Sequence, residues 1–172
     1  LIWIYSVGML AFAALTGVLA LYLNAEFGVT EKTIGFFFMY VSGISIVMRL
    51  FLLGPIVDRL GEVRTVRLGT ICLTVGLGAF PLAHSLPVLA LVLPLMPIGT
   101  ALMFPSTTAL MSRFSSKGEL GTVMGTAQTF AGMSRIVAPV LGTMAFQRLG
   151  HGWPFFAAGG VVALVGLLAF HL

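Results

Sequence analysis

Two arginines, Arg49 and Arg135, stand inside apolar stretches long enough to cross a bilayer, in a chain of 172 residues with nine basic and five acidic ones. An ionised side chain in hydrocarbon costs several kcal/mol unless it snorkels, pairs or faces a wet cavity. Such a group has no use on a lipid-facing scaffold. Helical spacing puts Arg135 on a stripe of Gly121, Gly125, Gln128, Gly132, Arg135, Pro139 and Gly142, in steps of four and three. Its glycines let another helix approach closely. Arg135 lies about 20 Å from either end of its segment at 1.5 Å per residue, too deep for easy snorkelling. Two readings stand for it: a packing seam whose guanidinium holds a carbonyl or carboxylate elsewhere, and a substrate or gating role. Arg49 closes a similar stripe of Gly35, Phe38, Ser42, Ser45 and Arg49. It lies about one turn inside Gly54, so snorkelling to the cytoplasmic headgroups is the expected behaviour of this inner-membrane charge.

Other polar side chains share faces that could line a cavity. Tyr5, Met9, Phe12 and Thr16 fall on one face of the first apolar segment, and Thr100, Met103 and Thr107 on one face of the fourth. Ordinary helix packing explains any one of them equally well. The fourth segment also carries Pro94, Pro97 and Pro105 with Gly99. Each internal proline frees a carbonyl and bends the helix, which membranes tolerate where the break lines protein or water.

Between the second and third segments the chain reads Gly54-Pro55-Ile56-Val57-Asp58-Arg59-Leu60-Gly61-Glu62-Val63-Arg64. This reads as a tight turn. Gly54 allows the helix to end, Gly61 permits a reversal, and Asp58 can accept N–H groups at a helix N-terminus. Arg59 and Arg64 can pair with acids or lipid phosphates. Alternatively, the loop is charged only to set topology.

The elements that must hold these groups are membrane helices. Hydrophobic residues make up 59% of the chain and charged residues 8%, against about 25% charged in a soluble domain. Mean hydropathy is +1.10. Six segments qualify as spans, approximately 1–23, 33–53, 65–83, 88–112, 121–147 and 154–172. The fold class is therefore all-α: a polytopic membrane bundle of six transmembrane helices in one domain over 1–172. Start signals agree with the cuts: Thr30-Glu31 before the second helix, a capping box Ser116-Lys117-Gly118-Glu119 before the fifth, and Pro154 in the first turn of the sixth. Arg59, Arg64, Arg67, Arg113 and Lys117 lie in or beside loops 2 and 4, against Lys32 and Arg148 in loops 1, 3 and 5. That bias places loops 2 and 4, with both termini, in the cytoplasm. Basic residues scattered between apolar spans do not make a nucleic-acid patch. Cys72 is the single cysteine, so no internal disulfide forms. No cofactor or metal is expected. The chain begins and stops inside apolar segments, which reads as a piece of a longer protein.

Gly54-x-x-x-Asp58-Arg59-x-Gly61 between the second and third of six helices resembles the loop signature of the major facilitator superfamily. Glu62 departs from it, standing where the full signature has a basic residue. That weakened form resembles the copy in the C-terminal half of such transporters, as does the absence of an internal arginine in the fourth segment. Gly125, Gly132, Ala138-Pro139 and Gly142 resemble the glycine-proline motif associated with antiporters, with Ala138 in place of the usual glycine. The resemblance implies half of a twelve-helix transporter, whose two halves rock about a central cavity and expose it alternately to each side. It implies that helices 1 and 4 line the cavity, that 2 and 5 meet the missing N-terminal six-helix half, and that 3 and 6 lie outside.

Secondary transport of a small molecule across the cell membrane, with efflux by proton antiport as a subclass, is the leading functional expectation. Glu26, Glu31, Asp58, Glu62 and Glu119 all lie outside mid-span, so a proton-carrying carboxylate is expected in the missing half. A non-transporting scaffold built from a transporter half is the alternative. An intramembrane serine protease is disfavoured, because no Gly-x-Ser-Gly occurs and His84, His151 and His171 sit in loops or at the terminal edge.

Overall fold

Apolar length and turn chemistry divide the described residues into six helices. The computed structural model describes residues 1–116 and 118–170; Lys117, counted above in loop 4 and its capping box, and His171 lie outside the described residues. The helices are α1 Ile2–Phe27, α2 Ile34–Leu60, α3 Glu62–Leu82, α4 Leu86–Phe114, α5 Leu120–Leu149 and α6 Trp153–Phe170. No strand occurs among the described residues. The fold class is thus as the composition dictates.

The ends are set locally. Gly28 closes α1 at φ 62° with its N–H on Asn24 O, while Val29 N–H reaches Leu23 O. This is a Schellman stop, which needs a left-handed residue. The Asn24 amide secures it by donating to Val29 O at 2.9 Å. Two expected caps form differently. The Thr30 carbonyl, not its side chain, accepts the N–H groups of Thr33 and Ile34. Ser116 Oγ lies 2.9 Å from Glu119 Oε2 instead of accepting an N–H group. The carboxylate is the stronger acceptor, so the reciprocal box does not close. Pro154 sits in the first turn of α6 as expected.

The largest correction concerns α2. The helix does not end at Gly54 but continues to Leu60, and Gly61 at φ 78° alone makes the turn into α3. Pro55 cannot donate to Phe51 O, and its ring crowds that carbonyl. The ladder just before it widens into a π turn over Met48–Leu52, with Leu53 N–H on Met48 O. Gly54, Pro55 and Asp58 are therefore helical, and Asp58 caps no helix N-terminus among the described residues.

Two seams organise the bundle. α1 and α5 run parallel, Ser134 meeting Ser6 and Pro139 and Gly142 meeting Gly17 and Val18. α3 and α4 run antiparallel, with Gly69 against Gly99 and Met103, and Gly76 against Leu95 and Met96. α6 lies along α3 through Gly159 at Leu77 and Gly166 at Thr70. It joins α1 and α3 in an aromatic cluster: Tyr22, Phe80 and Phe155 have ring centroids 4.7–5.0 Å apart, all three buried. Arg67 ties the other end of α6. Its Nε and Nη2 donate to Ala169 O and Phe170 O at 2.8 and 3.1 Å, and the guanidinium lies over the Phe170 ring. Free carbonyls at a helix C-terminus attract such a cation. By contrast, Ile34–Val47 of α2 contains no buried residue.

Candidate functional site

Faces of α1, α2, α4 and α5 line an open groove of about 650 Å³ at the end that carries loops 2 and 4, with Arg49 exposed along it. Its walls combine Met9, Phe104 and Met124 with the polar groups of Tyr5, Arg49, Thr108 and Ser112. A mainly apolar wall with a few fixed polar groups is the usual composition of a small-molecule site. Tyr5 is held by its ring, edge-on to Phe104 at 5.5 Å, and by its hydroxyl, which accepts from Gln128 Nε2 at 3.2 Å. Thr108 Oγ1 donates to Phe104 O at 2.9 Å, the intrahelical bond of a hydroxyl in an apolar helix.

Arg49 sits in the π turn, with the helix running on to Leu60, so it is not one turn from a helix end as the spacing to Gly54 suggested. It makes no ion pair or hydrogen bond among the described residues. It also borders a second cavity of about 410 Å³, between α2, α3 and α4, shared with Asp58, Glu62 and Ser106. Glu62 Oε1 pairs with Arg113 Nη2 at 3.1 Å; the Glu62 side chain is 10% exposed and that of Arg113 73%. Two buried polar atoms there, Glu62 Oε2 and Ser106 Oγ, have no partner among the described residues. So the acid that departs from the loop signature is tied to a base on α4. Arg113 was read only as a topology charge, and nothing local in the sequence links it to Glu62.

The other expected site residues disperse. Thr100, Met103 and Thr107 are buried in the bundle and do not line the cavity. Met103 packs between Gly8 and Gly69, and the two threonines donate to Pro97 O and Met103 O. The cavity wall of α4 is the adjacent face, Phe104, Pro105, Thr108 and Ser112. Thr16 is exposed and bonded to its own helix. On α5 the buried seam is Ala127, Ala131, Ser134, Ala138 and Gly142. Pro139 and Gly142 meet α1, whereas a methyl group at Gly121, Gly125 or Gly132 would meet nothing within 4 Å. Arg135 is exposed beside this seam, without a partner among the described residues. Arg59 and Arg64 are exposed and likewise unpaired among the described residues.

Tyr40 is a further contact that the sequence reading missed. Pro94 cannot donate to Ala90 O, and the Tyr40 hydroxyl supplies that bond at 3.0 Å, tying α2 to α4. A tyrosine on one span and a proline four residues past a carbonyl on another give a weak signal, visible only once the pairing is known.

The family model for the Major Facilitator Superfamily matches residues 1–172. Multidrug resistance protein 2 of Bacillus subtilis is 32% identical over 154 residues, 87% of this chain and 37% of that protein. Major facilitator superfamily domain-containing protein 10 of Mus musculus is 30% identical over 90 residues, 52% of this chain and 20% of that protein. The crystal structure of the human organic anion transporter MFSD10 superposes with a TM-score of 0.86 at 23% identity, covering 96% of this chain and 39% of that one. The chain thus spans well under half the length of these proteins.

Proposed function

Because this chain belongs to the major facilitator superfamily, we propose that it forms one six-helix half of a transporter that moves a small molecule by alternating access. It is a multi-pass membrane protein, and the family match sets the intramembrane-protease reading aside. The observation that carries the proposal is the cavity between α1, α2, α4 and α5, with Arg49, Tyr5, Thr108 and Ser112 set in an otherwise apolar wall.

Efflux coupled to inward proton movement is the finer reading, supported by the loop signature, the degenerate glycine-proline motif and the name of the Bacillus subtilis relative. The partners in this reading are a small-molecule substrate, protons, the lipid bilayer and an N-terminal six-helix half. The membrane is the cell membrane, with loops 2 and 4 on the cytoplasmic side. The exposed face of α2 and the open glycines of α5 are where the other half would sit.

The test is flux through the full-length protein in proteoliposomes, with and without an imposed pH gradient, alongside labelling of single cysteines at each end of the cavity. Transport that accelerates with the proton gradient, and labelling that alternates between the two ends, is the expected result. Fixed accessibility with no flux would leave only the scaffold reading.

A further inference from the structure

We propose that Glu62 is a proton-binding site, whose buried Oε2 takes up and releases a proton, so that this half carries a titrating group of its own. Its purpose rests on the proton-coupled reading above. Burial singles it out. Of the chain's five acids, Glu26, Glu31, Asp58 and Glu119 are exposed, whereas the Glu62 side chain is 10% exposed. Its hydrogen bonding is only half made: Arg113 holds Oε1 at 3.1 Å, while Oε2 is buried with no partner among the described residues. A charged oxygen left bare costs more than a neutral one. Ser106, 2% exposed, lines the same pocket of about 410 Å³, and its Oγ is also unpartnered among the described residues. By contrast, the adjacent Thr107 and Thr108 hydroxyls donate to carbonyls of their own helix at 2.7 and 2.9 Å. A carboxylate offers acceptors alone, but a protonated carboxyl also donates. Oε2 can then donate toward Ser106 Oγ, directly or through water in the pocket.

The charges around Glu62 fit an exchangeable proton. From α4, Arg113 favours the carboxylate, but it is 73% exposed and its pull is screened. From α2, Asp58 and Arg49 border the same pocket with opposite charges. On α3 itself, Arg64 is exposed, and Arg67 is engaged with Ala169 O and Phe170 O. The cluster thus holds two acids and two bases, so a metal cation gains little there, and a proton needs no cage of ligands. The step is a single proton transfer: hydronium in the pocket protonates Oε2 and leaves water, and the reverse step returns the proton. Neutral Glu62 no longer holds Arg113 by charge, which loosens the start of α3 from the end of α4. Position along the spans pointed to the missing half alone for a proton-carrying carboxyl; burial adds one here.

The test is infrared difference spectroscopy of the purified full-length protein in lipid, acidic minus neutral buffer. The proton itself is the probe. Wild type should show the carbonyl stretch of a newly protonated carboxyl, and Glu62→Gln should lose it. Ser106→Ala should keep that band and move it to higher frequency, because the acid has lost its acceptor. Should Glu62→Gln fail to elute as a folded monodisperse species, Glu62→Asp takes its place and must shift the band. An unchanged spectrum in Glu62→Gln, or an unshifted band in Glu62→Asp, overturns the proposal and leaves Glu62 as one arm of a fixed ion pair. A band lost in Glu62→Gln but unmoved in Ser106→Ala overturns the partnership with Ser106. Transport is read separately. Proton-driven flux beside an unchanged spectrum rejects Glu62 alone, whereas absence of flux in the proteoliposome test rejects the transport reading whatever the spectrum shows.

Discussion

Gly69 and Gly99 bring the backbones of α3 and α4 into direct contact: a methyl group on either would lie 2.8 Å from the other's carbonyl oxygen. The same methyl groups would press on Met103 N and Leu73 N at 2.7 Å. Backbone atoms cannot move aside as a side-chain tip can. We expect Gly99→Leu to destabilise the bundle by at least the usual overpacking cost of about 1–3 kcal/mol. Thermal unfolding in detergent, read by loss of the monodisperse peak, checks this. Gly125→Ala, where nothing lies within 4 Å, should melt like the wild type when tested in this chain. Equal melting of both variants would mean that α3 and α4 do not cross at this point.

The Glu62–Arg113 pair should be worth little as an isolated bond. Arg113 is largely exposed, so solvent screening holds the coupling under about 1 kcal/mol. Its effect should be positional. Glu62→Ala and Arg113→Ala, alone and combined, form a double-mutant cycle read by chemical denaturation. A coupling of several kcal/mol would contradict the exposure seen here.

Tyr40→Phe removes one hydrogen bond and strands the Ala90 carbonyl. A loss of about 1 kcal/mol is expected. Because α2 buries so little, the consequence should be local: faster hydrogen exchange over 34–47 and 86–94, with α1 and α5 unchanged. Uniform loosening of all six helices would argue against a tether.

Arg135→Met should leave membrane insertion unaffected, since the side chain is exposed and has no hydrogen bond or ion pair among the described residues. Its effect should fall on flux of the full-length protein, and Arg135→Lys should also be impaired, because a point charge does not replace a planar fork. Folded yield and flux are measured on the same preparations. Wild-type flux in Arg135→Met would remove any functional role, and loss of folded yield would assign the residue to packing.

Sidedness is tested with single cysteines at positions 59 and 148 in a Cys72→Ser background. An impermeant maleimide added to intact cells should label position 148 and spare position 59. The opposite pattern would invert the topology.

Sequence alone determined the six spans, their short connections and the family, because apolar length, glycine stops and first-turn prolines act over a few residues. The Gly54–Gly61 signature could likewise be recognised without coordinates. Which face of each helix turns inward was decided only by the tertiary structure. These helices are apolar on all sides, so periodicity carries little directional signal, and packing between spans depends on shape instead of hydrophobic contrast. One residue is about 100° of rotation: Thr108 lines the cavity where Thr107 was expected, and Ser134 meets α1 while Arg135 stands clear of it. The π turn before Pro55 was equally hidden. It carries α2 on to Leu60, puts Arg49 well inside a helix, and leaves one residue, Gly61, to make the turn that brings Glu62 within reach of Arg113.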